Sequence, residues 1–124
     1  MIGSIGQIML YVHDQDEAMR FWTEAVGFSV IAEEESPEFR WIEIAPPNGG
    51  TSLVLHNKDK IAQMEPELNL DTPSIMFYTN DLEQLHQELT VKNITVGDIV
   101  EMPNGRVFNF ADYEENYFAV MEKK

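Results

Sequence analysis

Cysteine is absent from this 124-residue chain. That one absence excludes a disulfide framework, a thiolate nucleophile, a thiolate metal site and an iron–sulfur cluster. Positive charge is scarce: eight Lys and Arg against 22 Asp and Glu give a formal net charge of −14. The basic residues are scattered rather than gathered, so a phosphate backbone is repelled and nucleic acid is not expected as a partner. No apolar run approaches the ~20 residues of a membrane-spanning helix, and the opening residues lack the basic start and long apolar stretch of a secretory signal. A cytoplasmic protein with no membrane partner is the expectation. The acidity itself has two readings: solubility, or an acidic mouth that attracts cationic ligands.

What is present is a repeat. IMLYVHD at residues 8 to 14 returns as IMFYTND at residues 75 to 81, 67 positions later. FRWIEIAPP from Phe39 answers GRVFNFADY from Gly105, with Arg40 and Arg106 in register. A unit of half this length exposes an apolar face that it cannot cover alone. The two are therefore expected to share what lies between them, within one domain over residues 1–124.

The first half reads as strand, helix and three strands. Residues 5 to 12 alternate in polarity, Asp14 supplies an N-cap with Glu17 three residues on, and Ala18, Phe21, Trp22, Ala25 and Val26 form one helical stripe up to Gly27. Strands follow at about 28–34, 39–45 and 51–57, separated by Ser36-Pro37 and by Pro46-Pro47-Asn48-Gly49-Gly50. The second half repeats this with a strand at about 73–79, a helix from Asp81 carrying Leu82, Leu85 and Leu89, and strands near 94–101, 105–111 and 116–122. The modules are thus about 1–57 and 73–124, joined by a polar linker of about 58–72 with one helical turn. Phe21 and Trp22 are an ambiguous pair, one of which is a candidate to cover an interface rather than the core.

Two βαβββ modules, Val12-x-Asp14 after the first strand, FWTEAVGF over residues 21 to 28, and the turn Asp112-Tyr113-Glu114-Glu115-Asn116 resemble the vicinal oxygen chelate superfamily. That superfamily includes glyoxalase I, extradiol dioxygenases, fosfomycin-resistance enzymes and bleomycin-resistance proteins. The resemblance covers essentially the whole chain. It implies an α+β fold of two tandem βαβββ modules forming a cupped mixed sheet with helices on the outer face, and a homodimer. Its architecture says little about activity, since members share a fold and differ in chemistry.

In the metalloenzymes of that superfamily, four inner-face positions hold a divalent ion. Motif by motif they correspond here to Gln7, Val54, Ser74 and Ala119. Val and Ala cannot ligate through their side chains, and Ser and Gln are weak neutral donors. No metal and no cofactor are expected, and the Lewis acid of glyoxalase and dioxygenase chemistry goes with the metal. Glu43 and His56 share the same face and are weak candidates for an atypical ligand pair or for acid–base work. His13 and His86 are expected to be solvated.

Period-two arithmetic lines a cup with Met9, Tyr11, Trp41, Glu43, Val54, His56, Met76, Tyr78, Asn109, Tyr117 and Met121. That assignment sets Ile42, Ile44, Phe108 and Phe110 against the helices. The lining, together with Gln7, Ser74 and Ala119, is apolar and aromatic with a few polar groups, which suits a small-molecule site. Aromatic faces beside Glu43 suit a planar or cationic ligand. The reading is a metal-free small-molecule binder that sequesters its ligand, of the general type of bleomycin-resistance proteins. The alternatives are a glyoxalase- or dioxygenase-type enzyme with atypical metal ligands, and a dimeric scaffold whose Met and Tyr residues fill an occluded pocket.

Overall fold

Asp14, Asn57 and Asp81 each accept a backbone N–H three residues ahead, from Glu17, Lys60 and Gln84 at 3.0, 3.0 and 3.1 Å. These caps satisfy N–H groups that a first helical turn leaves unpaired, and they start the three helices. A computed structural model describes residues 1–123. The elements are β1 (Gln7–Val12), α1 (Gln15–Arg20), β2 (Ser29–Glu35), β3 (Arg40–Ala45), β4 (Ser52–Asn57), α2 (Lys58–Met64), β5 (Met76–Thr79), α3 (Leu82–Val91), β6 (Val100–Met102), β7 (Gly105–Ala111) and β8 (Tyr117–Glu122).

The hydrogen bonding makes two four-stranded mixed sheets, ordered β1-β4-β3-β2 and β5-β8-β7-β6. In each, the first and last strands of a βαβββ module run parallel side by side, and the other pairs are antiparallel. The chain divides into two compact units, Met1–Thr72 and the residues from Pro73 onward. The segment between the repeats packs with the first unit, because α2 lies against β1 and β4. Among the described residues, no helix is long and apolar enough to cross a membrane.

In the first unit the core lies between one face of its sheet and α1. Leu10, Val12, Ile42, Ile44, Leu53 and Leu55 meet Ala18, Phe21, Trp22 and Ala25, all at most 8% exposed. α1 does not run on as one regular helix. It widens at Phe21–Ala25 into a π-type turn in which the Val26 N–H donates to the Phe21 carbonyl at 3.2 Å. The two adjacent rings of that turn meet edge to face, with centroids 5.4 Å apart. Phe21 and Trp22 are both fully buried, so neither is left for an interface. The second unit repeats the plan with Leu82 and Leu89 of α3 over Phe108, Phe110, Phe118 and Val120.

The repeat extends to electrostatics. Arg40 reaches Asp16 in the first turn of α1 at 2.8 Å, and Arg106 reaches Glu83 at the same turn of α3 at 2.8 Å. Each arginine also pairs with a strand carboxylate, Glu33 for Arg40 and Glu122 for Arg106. These bonds raise both guanidinium pKa values further. The same residue type thus ties the helix to the third strand of each module.

Three expectations need correction. The strand expected over 94–101 is only Val100–Met102 with a lone bridge from Val96 to Phe110. Gly97 interrupts it, holding Asn109 by a single backbone bond of 2.8 Å. β5 begins at Met76 rather than residue 73, after a proline with no N–H to give. His86 is only partly solvated: Nε2 donates to the Gly97 carbonyl at 2.8 Å, and the half-exposed ring lies 4.9 Å from Phe108.

Candidate ligand-binding faces

Each sheet turns one face to its helix and leaves the other without a helical cover. In the first unit, strand register arranges the open face in rows. Gln7 stands beside Ser52; Met9, Val54 and Glu43 form the next row; Tyr11, His56 and Trp41 form the third. The alternation that buries Ile42 and Ile44 against the helix side puts Trp41 and Glu43 on this face. Ala32 and Glu34 of β2 extend the second and third rows. Val54 is the buried floor of the face at 4% exposure, while Met9 is 38% exposed.

The polar centre of this face is Glu43. Its Oε2 accepts from Gln7 Nε2 at 3.1 Å and from Ser52 Oγ at 2.5 Å. Both donors are neutral, and among the described residues no cationic side chain forms an ion pair with Glu43. Ser52 is absent from the residues picked by sequence arithmetic, yet it is buried here. The signal that finds it is parity, because Ser52 lies two residues before Val54 on the same strand.

In the row above, the His56 ring stacks on Tyr11 with centroids 5.5 Å apart and planes 23° from parallel. His56 Nε2 lies 3.1 Å from Met9 Sδ. Burial lowers the imidazole pKa from its ordinary 6.5, because the charged form loses water. His56 is therefore a neutral ring at neutral pH. His13, by contrast, is exposed and pairs with Asp59 of α2 at 3.3 Å.

The second unit has its own rows: Met76, Ala119 and Asn109, then Tyr78, Met121, Val107 and Val100, then Tyr117 beside Ala111. Met76, Tyr78 and Tyr117 are 47%, 67% and 60% exposed. Apart from Asn109 and the tyrosine hydroxyls, this face carries no polar side chain in its rows. The helix side instead holds a ring cluster of Phe77, Phe110 and Phe118 with centroids 5.6 to 6.3 Å apart. Ser74 lies two residues ahead of β5, outside these rows.

The donor set does not suit a divalent ion at the four positions named from the resemblance. Val54 and Ala119 are hydrocarbon, Ser74 lies off the strand, and the Gln7 amide is engaged with Glu43. Among the described residues there is also no group of three His, Asp or Glu placed to hold a metal. A cleft on the helix side of the first sheet, between the β2–β3 turn and α2, is lined by Glu35, Phe39, Arg40, Asn57 and Lys60 among others. Its arginine is already bonded to Asp16 and Glu33.

Two mixed sheets of βαβββ order, each with a helix on one face and an open side-chain array on the other, define the class. The Glyoxalase/Bleomycin resistance protein/Dioxygenase superfamily model matches residues 4–120, and the chain belongs to that family. It is similar to uncharacterized protein YetH of Bacillus subtilis (strain 168), at 33% identity over 98% of this chain and 100% of that protein. Among solved structures it is similar to TnmS3, an antibiotic binding protein from Streptomyces sp. CB03234, with a TM-score of 0.85, 24% identity, and 99% and 98% of the two chains covered. A glyoxalase/bleomycin resistance protein from the same Streptomyces strain has a TM-score of 0.78 at 25% identity, covering 95% of this chain and 99% of its own.

Proposed function

We propose that this protein binds a small planar cation without metal chemistry, on the open face of its first unit. The observation that carries the reading is the Glu43 carboxylate, fixed by Gln7 and Ser52 and, among the described residues, offered no cation. A partly desolvated carboxylate with only neutral partners keeps most of its negative field, and a cationic ligand is the group that completes it. The aromatic surfaces beside it, Trp41 and the Tyr11–His56 stack, suit a flat cation in both shape and charge. The net charge of −14 adds long-range attraction of the same sign. Use of this fold for binding has a precedent in the antibiotic binding protein TnmS3.

The test is calorimetric titration with N-methylacridinium and with uncharged acridine, two molecules of one shape. N-methylacridinium is expected to bind the wild type at least about tenfold more tightly, and Glu43→Gln to remove that preference, as expected for a charge-assisted contact. Equal binding of the two would overturn the cation reading. Titration of the metal-stripped protein with Ni²⁺, Zn²⁺, Mn²⁺ and anaerobic Fe²⁺ tests the other half. Stoichiometric binding lost in Glu43→Ala or His56→Ala would replace this reading with a glyoxalase- or dioxygenase-type enzyme.

A further inference from the structure

A half-buried imidazole pressed against a thioether has its tautomer chosen for it. Met9 Sδ, 3.1 Å from His56 Nε2, carries lone pairs and no hydrogen. An unprotonated Nε2 would set lone pair against lone pair, so the attractive arrangement is an Nε2–H directed at the sulfur. Burial disfavours the imidazolium, which leaves one proton on the ring. Nδ1 is then a bare acceptor, and among the described residues it has no hydrogen-bond partner. The stack on Tyr11 fixes the plane of the ring, so that Nε2 stays directed at the sulfur within that plane.

We propose that His56, held by Met9 as the Nε2–H tautomer, is the specificity-determining acceptor of this face, and that the ligand is a planar cation that also carries an N–H donor for Nδ1. This rests on the cation reading above and narrows its ligand class. Glu43 stands opposite Val54 and His56 opposite Trp41, so the two occupy diagonal positions on adjacent strands. Such positions are roughly 7–8 Å apart, within the span of one fused-ring molecule. Glu43 answers the charge and His56 answers the donor.

The experiment compares 9-aminoacridine, a planar cation with N–H donors, against N-methylacridinium, a planar cation with none. In the wild type 9-aminoacridine is expected to bind about three- to tenfold more tightly, the worth of one net hydrogen bond. His56→Phe keeps a ring beside Tyr11, removes the acceptor and should close that gap. Long-range ¹H–¹⁵N spectra of the ligand-free wild type should show His56 Nδ1 unprotonated and Nε2 protonated, and Met9→Leu should allow the second tautomer to appear. If His56→Phe does not fold, the wild-type spectra and the two wild-type affinities decide the matter. An Nδ1–H tautomer, or equal affinity for the two cations, overturns the inference. Equal cations with weak binding of uncharged acridine would remove the donor claim alone; acridine binding as well as both cations, or no binding by any of the three, would remove the cation reading as well.

Discussion

Gln15 is the residue whose loss should be felt most for its size. It is 7% exposed, and its one amide nitrogen donates to the Arg40 carbonyl at 2.7 Å and to the Leu55 carbonyl at 2.9 Å. It therefore fastens the first turn of α1 to both β3 and β4. Gln15→Ala leaves two inward carbonyls without that donor and should cost roughly 1–3 kcal/mol, read from the shift in a urea denaturation midpoint. His56 makes a prediction in pH. Its folded pKa lies below the ordinary 6.5, while the unfolded chain takes up the proton near 6.5. His56 therefore contributes stability above about 6.5, and that contribution is lost as pH falls through the folded value. The NMR titration midpoint of His56 should fall below 6.5, and His56→Phe should lose less stability than the wild type over that acid interval. A midpoint above 6.5 would contradict the buried environment described here.

At the scale of elements, capping residues and one glycine set where helices begin and end. Asp14→Ala and Asp81→Ala should each cost about 1 kcal/mol, because each removes an oxygen that accepts a first-turn N–H. Gly27 ends the first helix with φ of 95°, and an added Cβ there would meet nothing within 4 Å. Gly27→Ala should therefore be destabilising by roughly 1–2 kcal/mol from backbone conformation alone, with no repacking visible in the side-chain spectra. Both caps and the glycine are legible in the sequence, since each is a local chemical signal. The π-type turn at Phe21–Ala25 is not. The helical stripe predicts the burial of Ala18, Phe21, Trp22 and Ala25, with Val26 only half-buried, but not the widened turn that carries the two rings. The shortness of β6 is a similar case, because Val96 and Val100 read as strand while the pairing available to them on β7 decides how much forms.

For the whole molecule, a net charge of −14 implies self-repulsion that added salt should relieve. Raising ionic strength from low values toward physiological ones should raise the melting temperature, although it weakens the exposed partners of Arg40 and Arg106. The same salt should weaken binding of N-methylacridinium, since screening acts on the attraction that draws it in. A ligand at 100 times its dissociation constant should add about 2.7 kcal/mol to the unfolding free energy, so a saturating cation should raise the melting temperature of the wild type and not of Glu43→Gln. The sequence by itself determined the duplication, the βαβββ order and the face to which each strand residue belongs, because offsets, caps and period-two alternation are local properties of the chain. The resemblance read from it also implies that Val54 and Ala119, which have no ligating side chain, fall at two of the four positions matched to the metal ligands of the family's metalloenzymes. Tertiary structure alone decided that Ser52 joins Gln7 on Glu43, that Met9 meets the His56 ring, and that the helix widens at Phe21–Ala25. Those contacts join residues 9 to 47 positions apart or depend on a change of helical pitch, so they exist only once strand register and side-chain packing are set in three dimensions.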